Sequence, residues 1–146
     1  MTAAALIVLF ALAHQAPAAT AEKGVSGQPC SARALVGTWR ITETDGKPFA
    51  SDGRTVYKHV TPTHYFVLNV DASGLASYGH GGPYTASADT YAESITQGFG
   101  SSFEALRGLK GQFRCSVSGD RWHVVGSVPG GPGEAHVDET WQRVRQ

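Results

Sequence analysis

Residues 109–128 read LKGQFRCSVSGDRWHVVGSV, two runs of alternating apolar and polar residues on either side of Ser118-Gly119-Asp120. In the first run Phe113, Cys115 and Val117 share one face, and the second run, Arg121 to Val128, resumes the alternation after the turn. Period-two runs joined by so short a turn form an antiparallel hairpin. The same pattern extends in both directions. Leu35 to Thr44 is closed by Asp45-Gly46, and Arg54 to Val60 and His64 to Asp71 are separated by Thr61-Pro62-Thr63, where proline bars a continuous strand. Gly81 to Ser87 and Thr90 to Gln97 are joined by Ala88-Asp89, and His136 to Val144 is the last run. That makes eight strands. Only Ser101 to Arg107 reads as helix, with Ser101 or Ser102 as its N-cap.

With no crossover helices, neighbours in sequence should pair antiparallel. Eight short strands with hairpin-length links suit an all-β, up-and-down barrel, which closes its own edges and has room for one small ligand. A two-sheet sandwich is the alternative. The glycines at 79, 81 and 82 and at 130, 131 and 133 read as turns between strands.

The chain has 146 residues, enough for one domain. Lysine plus arginine equals aspartate plus glutamate at 12 each, so no net field draws nucleic acid or an anionic membrane. Ala3 to Ala13 is an unbroken apolar run, too short to span a bilayer, and Ala19-Thr20-Ala21 presents small residues where a signal peptidase cuts. The expected organisation is a signal peptide over 1–21, a polar segment over 22–34 and a barrel over 35–146. The mature chain is expected in the periplasm or outside the cell, without a membrane span. The two cysteines, Cys30 and Cys115, should then be bridged. Closing a loop of that length adds about 4 kcal/mol in the chain-entropy view.

Alternation groups the inward-facing candidates. Trp39 and Ile41 share a face of the first strand, and His64, Phe66, Leu68 and Val70 share one in the third. Tyr91, Glu93 and Ile95 fall together in the fifth, as do Val137, Glu139, Trp141 and Arg143 in the last. A one-residue slip would reverse any of these assignments.

Leu35-Val36-Gly37-Thr38-Trp39 resembles the Gly-x-Trp signature that opens the first lipocalin strand. The resemblance implies that Trp39 packs across the closed end of the barrel with Arg143 over its ring, an attraction of ~0.5–2 kcal/mol. A longer series occurs in order: Val60-Thr61-Pro62-Thr63-His64-Tyr65, Gly81-Gly82-Pro83-Tyr84-Thr85, Asp89-Thr90-Tyr91-Ala92-Glu93, Gly119-Asp120-Arg121-Trp122-His123 and Glu139-Thr140-Trp141. Together these are similar to small secreted bacterial lipocalin-like domains of unassigned role, over nearly the whole mature chain. The later lipocalin signatures are missing. The resemblance implies a calycin-type barrel and, by analogy alone, ligand binding.

Polar groups stand on otherwise apolar faces: His64, Tyr84, Tyr91, Glu93 and Glu139, with His123 in the other register. A buried carboxylate must be paired or hydrogen-bonded. These groups either satisfy one another in a structural network or orient a small molecule among Trp39, Phe66, Phe113, Trp122 and Trp141. In the second case the ligand has an aromatic or aliphatic body and a hydrogen-bond donor facing the carboxylates. No His-Glu-x-x-His, Cys-x-x-Cys or Asp-rich loop is present, so no metal, haem or other cofactor is expected. Catalysis would need an acid–base pair such as His64 with Glu93, and no nucleophile elbow or phosphate loop accompanies it. A protein-binding role, as an exported inhibitor with 21–28 as a free arm, is the third class. The expectation is an exported, non-catalytic barrel that holds a small, partly apolar molecule.

Overall fold

The computed structural model describes residues 28–130 and 133–145. The expected signal peptide, and the polar segment up to residue 27, lie outside the described residues.

The chain forms a closed eight-stranded antiparallel barrel. In chain order the elements are α1 (Ala32–Leu35), β1 (Gly37–Thr44), β2 (Lys47–Pro48), β3 (Thr55–Val60), β4 (His64–Val70), β5 (Ala76–Ser87), β6 (Thr90–Ser94), β7 (Gln97–Phe99), α2 (Phe103–Leu106), β8 (Lys110–Ser118), β9 (Arg121–Gly130) and β10 (Gly133–Arg143). Around the wall the order is β1, β3, β4, β5, β6, β8, β9, β10, and β10 pairs back onto β1 to close the cylinder. β2 is a short return on β1, turned by Asp45 and Gly46, both at positive φ as a tight hairpin requires. β7 pairs with β5. No helix among the described residues is long and apolar enough to cross a membrane.

The eight expected strands are present, β9 and β10 reaching past Val128 and His136 to pair Gly130 with Gly133, with four further differences. Leu35 ends a helical turn, α1, whose N-cap Ser31 accepts from the Ala34 amide at 3.2 Å, so the barrel has two short helices. The run from Thr90 to Gln97 is broken at Ile95, which leaves the ladder to bond with Gly108 and Leu109. Strand β5 starts at Ala76, five residues before the expected start, and the glycines at 79, 81 and 82 lie within it. Finally, β4 turns its other face inward: Tyr65 and Val67 are buried, while His64 is exposed and Phe66 half-buried.

The glycines explain that reversal. On the outer wall Phe66 stacks on Phe99, ring centroids 6.4 Å apart, and the pair lies flat over β5. A Cβ at Gly79 would come within 2.8 Å of the Phe66 ring and 2.9 Å of Phe99. One at Gly81 would come within 2.6 Å of Phe66. Both faces of β4 therefore bury apolar surface, and alternation alone could not choose between them.

One end of the barrel is sealed. Trp39 and Trp122 are 0 % exposed and Trp141 is 1 % exposed, with the Trp39 and Trp122 rings edge-to-face at 5.4 Å. Trp39 Nε1 donates to the Leu35 carbonyl at 2.7 Å, which ties α1 across this floor. The Arg143 guanidinium lies 4.1 Å from the Trp39 ring centroid and donates to the carbonyls of Val36 and Ala34. The Cys30–Cys115 disulfide fastens the preceding segment to β8 at the same end.

Candidate functional site

Strand β3 reads Thr55-Val56-Tyr57-Lys58-His59-Val60, and its inward face is Val56, Lys58 and Val60. A lysine between two valines on a buried face is an electrostatic cost unless it is paired. Its partner is Glu93 on β6. Lys58 Nζ donates to Glu93 Oε1 at 2.8 Å, with Lys58 4 % and Glu93 6 % exposed. The Tyr91 hydroxyl donates to the same oxygen at 2.8 Å. Four rings surround the ammonium within cation–π range: Trp141 at 4.8 Å, Trp122 at 5.1 Å, Tyr65 at 5.6 Å and Tyr91 at 5.7 Å.

Three further groups stand around this pair. Tyr65 is 1 % exposed, and its hydroxyl has no hydrogen-bond partner among the described residues. Burial, reinforced by the Glu93 charge, pushes its ionisation far up, so it stays a neutral phenol. Glu139 on β10 accepts from Trp141 Nε1 at 3.1 Å through Oε2. Burial against the wall raises its carboxyl above the usual range, and the Lys58 charge works against that rise. His80 on β5 is held by the Tyr78 hydroxyl at 2.9 Å from Nδ1, and burial pulls it down to about 4, so it is neutral at physiological pH.

Exposure of the inner wall changes along the barrel axis. Around the floor the large side chains are out of solvent. Toward the opposite end the inward residues Asn69, Tyr78, His80, Val128, Val137 and Glu139 are all half-buried, so solvent reaches them. The ion pair sits between these two halves.

The residues expected from sequence separate into three groups. Tyr91, Glu93, Trp122 and Trp141 converge on the Lys58 ammonium, and Glu139 is held beside Trp141. Phe113 packs on Tyr91 at 6.0 Å, and Tyr84, also inward, packs on Tyr91 at 5.5 Å and donates to the Thr61 carbonyl at 2.8 Å. His64 and Phe66 are on the outside: His64 bonds its neighbour Thr63 at 2.9 Å and faces away from Glu93, so no His64–Glu93 pair forms. His123 is also outward, 2.8 Å from Asp138. Sequence reading missed Lys58, Tyr65 and His80. The signal for Lys58 was present as a single charge in the valine register of β3.

Comparison of the chain with protein-family models, with curated proteins and with solved structures returned no match.

Proposed function

We propose that this protein is an exported, lipocalin-like carrier that takes a small, partly apolar molecule through the solvent-reached end of its barrel and holds it above the Lys58–Glu93 pair. The change in exposure along the inner wall is the observation that supports this most. A sealed floor of three tryptophans is followed by a buried ion pair and then by half-buried Tyr78, His80, Val137 and Glu139. A concave apolar wall with a few placed polar groups is the usual form of a small-molecule site. Because Trp122 and Trp141 are packed around Lys58, they form the base of the site and are not free walls of a hollow. The lipocalin likeness rests on Gly37-x-Trp39 with Arg143 stacked on the tryptophan, and an envelope or extracellular location rests on the disulfide and the apolar leader.

Native mass spectrometry of the protein purified from its own envelope tests the proposal. A co-purifying small molecule is expected, released on unfolding. A co-purifying protein with no small molecule would favour the partner-binding class, and a bare chain would overturn the carrier.

A further inference from the structure

We infer that the ligand is a cation, an amine whose ammonium docks against Glu139 beside the Lys58–Glu93 pair; this rests on the carrier reading above. Among the described residues the ammonium and carboxyl groups facing the barrel interior are Lys58, Glu93 and Glu139. Lys58 is committed to Glu93, which leaves the Glu139 carboxylate without a cationic partner within hydrogen-bond distance. The other charged groups nearby belong to the outer wall, where Glu43 is paired with Arg121 at 2.9 Å.

Free acceptors collect around the same place. Trp141 occupies only Oε2 of Glu139, and both donors to Glu93 use Oε1, so Glu139 Oε1 and Glu93 Oε2 have no hydrogen-bond partner among the described residues. The buried Tyr65 hydroxyl, close to Glu93, makes no hydrogen bond of ordinary geometry. A buried polar atom left unmatched in a native fold calls for an explanation. An alkylammonium has three donors to place, and carboxyl and phenol oxygens meet that need, whereas a ligand carboxylate would bring only further acceptors. The rings already arranged around Lys58 favour positive charge nearby, and Ile41, Val56, Val67 and Val137 would take the hydrocarbon part.

Tryptophan fluorescence reads this directly, since all three tryptophans line the interior. The probes are matched sets with shared hydrocarbon: phenethylamine, 2-phenylethanol and phenylacetate, and octylamine, 1-octanol and octanoate. The amine of at least one set should bind at least tenfold more tightly than its alcohol, with the acid weaker still. Glu139→Gln should remove the amine's advantage while leaving alcohol binding in place, and Tyr65→Phe, which deletes only the unpartnered oxygen, should weaken the amine severalfold. Alcohols or acids binding as well as amines, or an amine preference that survives both variants, would overturn the cation while leaving the carrier intact. If none of the six binds and a molecule without basic nitrogen co-purifies, the cation is again overturned alone. If none binds and nothing co-purifies, both readings fall. Should Glu139→Gln not fold, Tyr65→Phe and the amine-to-alcohol ratio decide.

Discussion

Lys58 Nζ and Glu93 Oε1 are 2.8 Å apart, joining β3 to β6 across the barrel interior, and the indoles of Trp122 and Trp141 stand within about 5 Å of the same ammonium. Two charges withdrawn from water gain little net stability from each other, because attraction is offset by lost hydration. Removing one partner is different, since the survivor is left buried and uncompensated. Lys58→Met and Glu93→Gln should each lower unfolding free energy by about 3–5 kcal/mol. The double variant Lys58→Met/Glu93→Leu should cost much less than the sum. Urea unfolding in a double-mutant cycle measures this, and additive singles would show that the pair is not coupled.

The floor is organised by Arg143. Its guanidinium covers the Trp39 ring and bonds the Val36 and Ala34 carbonyls, so one side chain ties β10 to β1 and α1. Gly37 makes room for it. Its φ is +138°, and a Cβ there would stand 2.7 Å from an Arg143 nitrogen. Gly37→Ala should therefore destabilise by at least about 1 kcal/mol through strain and displaced arginine together. Trp39→Ala should cost about 3–5 kcal/mol. Thermal unfolding checks both, and a Trp39→Ala loss under 1 kcal/mol would remove that ring from the core.

How much of this was legible beforehand follows from what each residue contacts. The hairpin at Ser118-Gly119-Asp120, the Asp45-Gly46 turn and the inward set Tyr91, Glu93, Trp141 and Arg143 are all local, and period-two alternation places them. The orientation of β4 is not local. It depends on Phe99, more than thirty residues downstream, lying with Phe66 over a pad of glycines in β5. Those glycines carry no pattern of their own, so they read as turns when they are needed for close approach. Lys58 was hidden for a related reason. Buried lysine is rare, and only its partner on β6 makes the position tolerable.

The disulfide anchors the segment before α1 to β8, with the two Cα atoms 6.0 Å apart and a sequence separation of 85. The backbone reinforces it: Cys30 N donates to Ala88 O, and Gln28 pairs with Val117. Cys30→Ala/Cys115→Ala should lose about 2–5 kcal/mol and fold more slowly, because the entropy of a long loop returns to the unfolded chain. The double variant should still fold as a barrel, since the wall closes through β1 and β10 without the bridge. Denaturant midpoints of oxidised wild type and the double variant measure the loss. A difference below 1 kcal/mol would mean that the floor contacts already hold the segment.

Stability should depend on pH through two interior groups that act in opposite directions. His80 falls from its ordinary 6.5 to about 4 on burial, so the unfolded chain binds the proton more readily. Its contribution is complete above 6.5 and is lost as pH falls toward 4, at most about 3 kcal/mol. Glu139 is raised by burial, so the folded chain binds its proton more readily. That contribution is complete below 4.5 and is lost as pH rises through its folded value. Between pH 6.5 and 4.5 the two partly cancel. The surface carboxylates of Glu43 and Asp71, both lowered by their hydrogen bonds, add their losses below this window. His80→Asn, which keeps a polar partner for Tyr78, should flatten the profile between pH 6.5 and 4.5. Glu139→Gln should steepen it, because the opposing gain disappears. Urea midpoints taken at half-unit steps separate the cases, and a profile that neither variant changes would show that both groups titrate alike in folded and unfolded chains.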